Sequence, residues 1–92
     1  MSTPTERTRA LVWAGGLLVQ ISRDRNLPLA LRRQATVIAR HFPTLEDVVR
    51  LSLLTETTPR RLERPLSQEI EAWCYELNHG PLIESTRLAW PD

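Results

Sequence analysis

Residues 27–49, LPLALRRQATVIARHFPTLEDVV, carry the clearest helix start and stop signals in the chain, and their reading decides the fold. Pro28 suits a first helical position: its missing N–H would find no intrahelical partner there, and its φ is already helical. The spacing of Leu31, Ala35, Ile38 and Phe42 predicts a helix over 28–42 with these residues along its core side and Arg32, Arg33 and Arg40 off it. Pro43 disfavours helical φ and ψ at Phe42, and Thr44 can then cap a new helix with Asp47 three residues on. Two helices meet at a sharp corner.

Working outward, Thr3 as N-cap, Pro4 first in the helix and Glu6 closing a capping box predict a helix over 4–23. Ala10, Leu11, Ala14, Leu17, Leu18 and Ile21 form its expected stripe, widened by Val12, Trp13 and Val19, so this helix is either central or an interface. Gly15 and Gly16 each cost nearly 1 kcal/mol relative to Ala in a helix interior, which suggests close approach by another backbone or tolerated strain. A third helix is expected over 45–54, with residues 55–58 breaking it. Thr58 and Pro59 could cap one further short turn. Ser67 reads as the N-cap of a last helix over 67–79, with Leu66, Ile70, Trp73, Cys74 and Leu77 in helical phase. Gly80 is its expected left-handed cap, and Pro81 prevents a restart. Residues 82–92 are expected to lie extended against the bundle or a partner, because Leu82, Ile83, Leu88 and Trp90 are too apolar for a disordered tail.

The pattern of Thr8-Arg9-Ala10, then Leu31-Arg32-Arg33-x-Ala35, then Ala39-Arg40-His41-Phe42-Pro43 resembles a family of short uncharacterised proteobacterial proteins over roughly residues 3–50. The resemblance implies a helical bacterial protein and carries no activity with it.

With 92 residues the chain is expected to be one domain, 1–92, with a small core; 41% hydrophobic residues and only three Gly fit a globular domain. There is no internal repeat and no alternating strand pattern, so the expected fold is all-α, a small bundle of about four helices. A single Cys excludes an intramolecular disulfide and a Cys-rich zinc site, which fits a reducing cytoplasm. The apolar run 10–19 lacks a cleavage pattern and is too short to span a bilayer, so it reads as a buried helix, and a membrane role is disfavoured.

All twelve basic residues are Arg. Up to Leu45 seven Arg face two acids, a balance of +5; afterwards five Arg face nine acids, a balance of −4. The favoured reading is that the two parts compensate each other within a bundle or across a dimer; the other is a basic face open to an anionic partner.

No catalytic motif is present, and no cofactor or metal is expected: no nucleophile elbow, phosphate-cradling Gly-rich loop or His-Glu-x-x-His pair occurs. His41 and His79 read as helix C-terminal residues near free carbonyls. Cys74, beside Trp73 on an apolar stripe, reads as a small buried hydrophobe. Residues 44–55 resemble the start of a lac-repressor-like helix-turn-helix, with Arg60, Arg61 and Arg64 as candidate nucleic-acid contacts. Against it, Leu53 stands where the turn usually has Gly, and Pro59 would fall inside the recognition helix. The expected function is therefore a non-catalytic module that binds another protein or itself, with Trp13, Gly15 and Trp90 as partner contacts, since Trp and Arg dominate interface energetics. DNA binding through 44–64 is the alternative.

Overall fold

A computed structural model of the chain describes residues 3–54 and 62–92. The described residues form four helices and no strand: α1 (Pro4–Arg23), α2 (Leu29–His41), α3 (Leu45–Leu54) and α4 (Ser67–Tyr75). The architecture is the small all-α bundle expected. Among the described residues α1 is the one helix that packs against each of the other three.

Local chemistry sets most helix ends. The Thr3 hydroxyl accepts the Glu6 N–H at 3.1 Å, with Pro4 in the first turn of α1. Pro28 is the N-cap of α2 and not its first residue: its ψ of 140° is extended while its carbonyl accepts the Arg32 N–H. Phe42, held extended before Pro43, ends α2. Thr44 and Asp47 then form a reciprocal capping box, the Asp47 N–H donating to the Thr44 hydroxyl at 3.2 Å and the Thr44 N–H to the Asp47 carboxylate at 3.1 Å.

α4 departs from expectation at both ends. Its N-cap is Leu66, whose N–H donates to Glu69 Oε2 at 3.1 Å, and Ser67 is the first helical residue. It stops at Tyr75, four residues before His79. The N–H groups of Glu76 and Leu77 donate to the carbonyls of Trp73 and Cys74, which tightens the last turn and swings Leu77 onto α1. Gly80, at φ +76°, therefore closes the following turn through its N–H to the Leu77 carbonyl, a backbone that L side chains resist.

The faces of α1 and α2 are rotated from the sequence reading. Thr8, Val12, Gly15, Gly16, Val19 and Ser22 are the buried residues of α1, and Ala35, Thr36 and Ala39 those of α2. Leu17 is 51% exposed, Ile38 51% and Leu31 41%. The reason is size: the buried residues at the α1–α2 contact, Ser22 and Thr36 with Ala35 and Ala39 beside Thr36, are small, and the larger residues at the flanks are left outside the seam. At the seam the Ser22 and Thr36 hydroxyls lie 2.6 Å apart, and Thr36 Oγ1 also donates to the Arg32 carbonyl. The glycines answer to the C-terminal third of the chain. A Cβ on Gly15 would stand 3.1 Å from Leu82 Cβ, and one on Gly16 2.6 Å from Leu77 Cδ2, so both accommodate side chains and not another helix backbone.

The core proper joins Val12, Val48 and Trp73, with Leu11, Trp13, Leu45 and Leu77 packed against it. Thr8 pins the segment before α4 to α1: its hydroxyl accepts the Glu63 N–H at 3.0 Å and lies 2.9 Å from the Pro4 carbonyl. Residues 82–92 carry no helix or strand and lie along the bundle, with Leu82 and Pro91 buried. The Leu82 carbonyl accepts the Leu45 N–H at 2.8 Å, satisfying one of the free donors at the start of α3.

Candidate functional site

The site is assembled by three segments that meet along one side of the bundle: the end of α1, α2, and residues 82–92. Arg33 and Arg40 are seven apart on α2, so both project from the same side of it, with Val37 between them. Trp90 lies under both: the Arg33 guanidinium carbon is 5.6 Å and that of Arg40 5.5 Å from the Trp90 ring centre. Both fall within cation–π range. Arg33 also fixes the chain that carries Trp90, its Nε donating to the Pro91 carbonyl at 3.0 Å. Trp90 nonetheless remains 47% exposed, and Val37 is exposed beside it.

Past Trp90, Arg23, Arg25, Arg32 and Arg87 line a cleft of about 520 Å³, completed by Ser22, Ala89, Trp90, Pro91 and Asp92. Arg23 is held by its Nη2 donating to the Arg87 carbonyl at 3.0 Å, and Arg32 by its Nε donating to the Ser22 carbonyl at 3.3 Å. Neutral carbonyls thus orient two of the guanidiniums without discharging them.

The charge split is not compensated within the described residues. Their ion pairs join Arg50 to Asp47 at 3.5 Å and to Glu84 at 2.6 Å, all three belonging to the acidic second part of the chain. Arg23, Arg25, Arg32, Arg33, Arg40 and Arg87 make no ion pair among the described residues, so on this side of the bundle the second reading of the charge split, an open basic face, is the one the ion pairs favour. Residues 82–92 cover this side of α2, and Asp92 is the one acidic residue that lines the cleft, while Glu46 and Asp47 of α3 are engaged with Glu84, Thr44 and Arg50.

The residues singled out from the sequence are not brought together. Trp13 is half-buried, its indole N–H donates to the Trp73 carbonyl at 3.1 Å, and Arg9 stacks on its ring at 4.7 Å, so it knits α1 to α4. Gly15 is buried under Leu82 and offers no surface to a partner. Trp90 is exposed. Arg60 and Arg61 lie outside the described residues, and Arg64 is exposed just before α4. The missed residues are Arg23, Arg25, Arg32 and Arg87; the surplus of Arg over acids before Leu45 was the one signal for the first three.

Titratable chemistry on the described residues is sparse. The Thr44 N–H and hydroxyl, with Arg50 beside them, hold the Asp47 carboxyl below the ordinary aspartate range. Burial pushes the Cys74 thiol up, away from the thiolate a nucleophile needs. No group of three or more His, Cys, Asp or Glu among the described residues could hold a metal ion, and no helix is long and apolar enough to cross a membrane. Compared with known protein families, curated proteins and solved structures, the chain matches none of them.

Proposed function

We propose that the protein is a small non-catalytic binding module that docks on an acidic surface of a protein partner, with Trp90, Arg33 and Arg40 at the centre of the contact. The observation that carries this reading is the half-exposed Trp90 stacked on two guanidiniums that no carboxylate of the described chain neutralises. Trp and Arg are the side chains whose burial most often dominates an interface, and here the Trp is already held in place, which lowers the ordering cost of binding. Arg23, Arg25, Arg32 and Arg87, which line the cleft next to it, attract negative charge and disfavour basic partners.

The nucleic-acid alternative over 44–64 draws less support. α3 opens with Glu46 and Asp47, and its Arg50 is paired with Asp47 and Glu84, so the would-be first helix of the motif presents no free positive charge to a phosphate backbone.

The test is capture from host lysate on immobilised protein, with and without nuclease, comparing the native chain with a Trp90→Ala, Arg33→Ala, Arg40→Ala variant. The expected result is an acidic protein retained after nuclease treatment and lost with the triple variant. Release of everything bound by nuclease would overturn the reading in favour of nucleic acid, and a second copy of the chain as the sole species retained would replace the acidic partner with self-association.

A further inference from the structure

The cleft lined by Arg23, Arg25, Arg32 and Arg87 adjoins the Trp90 contact and shares Trp90 with it, but is lined by four arginines that the contact does not use. It is a recess between the α1–α2 turn and the C-terminal segment. Its volume falls in the range of pockets that enclose small molecules. Four arginines and one acidic residue, Asp92, line it. Like charges crowded this way repel, and an anion seated among them would relieve the repulsion. The forks are also available: Arg23 and Arg32 each spend one donor on a backbone carbonyl, which holds the side chain while leaving other N–H groups free, and Arg25 and Arg87 have no hydrogen bond or ion pair from their side chains among the described residues.

From this arrangement we infer that the cleft binds a small molecule bearing a diphosphate group. Arginine forks match phosphate oxygens bidentately. A single carboxylate or phosphate would leave most of the positive charge unmatched and most of the recess empty, whereas two linked phosphoryl groups can span guanidiniums from both walls. Trp90 and Pro91 supply an apolar wall against which an organic substituent could lie. Because Arg87 belongs to the C-terminal segment and Arg23, Arg25 and Arg32 to the helices and their turn, the ligand would tie that segment to the bundle. It would therefore raise the melting temperature as well as bind.

The inference stands apart from the protein-docking reading and is tested on the isolated full chain. Titration calorimetry and thermal melts use inorganic pyrophosphate and adenosine diphosphate at physiological salt, with sodium sulfate at equal ionic strength as the control anion. Expected are saturable one-to-one binding of either diphosphate, a rise in melting temperature, and affinity weakened roughly tenfold to a hundredfold by Arg25→Ala or Arg87→Ala, each of which removes an exposed guanidinium without touching the fold. Equal affinity for the two probes assigns the site to the diphosphate group alone, and tighter binding of the nucleotide adds the Trp90 wall. Arg9→Ala, which removes a guanidinium stacked on Trp13 and outside the cleft lining, should leave binding unchanged. Absence of saturable binding, or binding that sulfate matches or that Arg25→Ala and Arg87→Ala leave intact, would overturn the inference, and neither result would bear on the acidic-partner reading.

Discussion

The Ser22 and Thr36 hydroxyls, buried and 2.6 Å apart, are the polar centre of the α1–α2 seam. Thr36 Oγ1 also reaches the Arg32 carbonyl at 2.9 Å, so with its single proton donated there it accepts from Ser22. Thr36→Val keeps the shape and removes the acceptor. It should cost about 1–3 kcal/mol, because a buried hydroxyl is left unpaired, whereas Ser22→Ala combined with Thr36→Val should recover much of the loss. Chemical denaturation of the two single variants and the double variant measures this, and additive losses would show that the hydroxyls do not act as a pair.

The seam's small residues set a second expectation. Ala39→Leu should destabilise by about 1–3 kcal/mol through overpacking, while Ile38→Ala, at a half-exposed position, should cost under about 1 kcal/mol. Gly16→Ala gives a related reading: its Cβ would meet Leu77 Cδ2 at 2.6 Å, and pairing it with Leu77→Ala should make the combined loss smaller than the sum. Urea midpoints of these variants decide the facing of both helices.

That facing is also where sequence reasoning was weakest. The helix limits at Thr3-Pro4 and Thr44–Asp47 were legible because capping is local chemistry between residues three apart. The buried faces were not, because an apolar stripe is read by giving Leu and Ile the core, whereas the buried residues where α1 meets α2 include Ser22 and Thr36, with Ala35 and Ala39 on the same helix. Gly80 reads from the sequence as a left-handed terminator of α4, yet it terminates a turn that follows α4, since Leu77 leaves the helix to cover Gly16. The arginine cleft was illegible for a different reason: it unites residues 23, 25, 32 and 87, and only the long-range return of the C-terminal segment brings the last of these to the others.

Asp47 gives the fold a dependence on acid. Its carboxyl is held below the ordinary range chiefly by the Thr44 N–H, so the folded state favours the charged form more than the unfolded chain does. The stabilisation is present above the ordinary aspartate pKa and is lost as pH falls through the lower folded value. Asp47→Asn should flatten the fall in melting temperature below about pH 4. An unchanged acid limb in that variant would move the dependence to another carboxylate.

Cys74 should behave as packing and not as chemistry. Burial raises its thiol pKa, so at neutral pH the folded protein should react with iodoacetamide more slowly than a free cysteine, and the rate should climb only above the ordinary thiol range. In denaturant the ordinary rate should return. For stability the sign is the reverse of Asp47: the contribution is complete below the unfolded thiol pKa and is lost as pH rises through the folded one.

The C-terminal segment completes α3 as well as the arginine face. Its Leu82 carbonyl takes the first N–H of α3, Leu82 covers Gly15, and Glu84 meets both Arg50 and Glu46 through its side chain and its N–H. Leu82→Ala should therefore cost about 2–4 kcal/mol, a large share of the roughly 5–10 kcal/mol expected of a domain this size. Deleting residues 82–92 should lower the melting temperature by more than Leu82→Ala does, since the carbonyl cap is lost with the side chain. Glu84→Gln, which breaks only an exposed pair, should change stability by less than about 1 kcal/mol. Hydrogen exchange locates the effect: in the truncated protein the Leu45 amide should lose protection first, while amides in the middle of α1 keep theirs. If the truncated chain melts like the full one and Leu45 stays protected, the segment is a passenger on the bundle, and Trp90 would have no fixed position from which to anchor a partner.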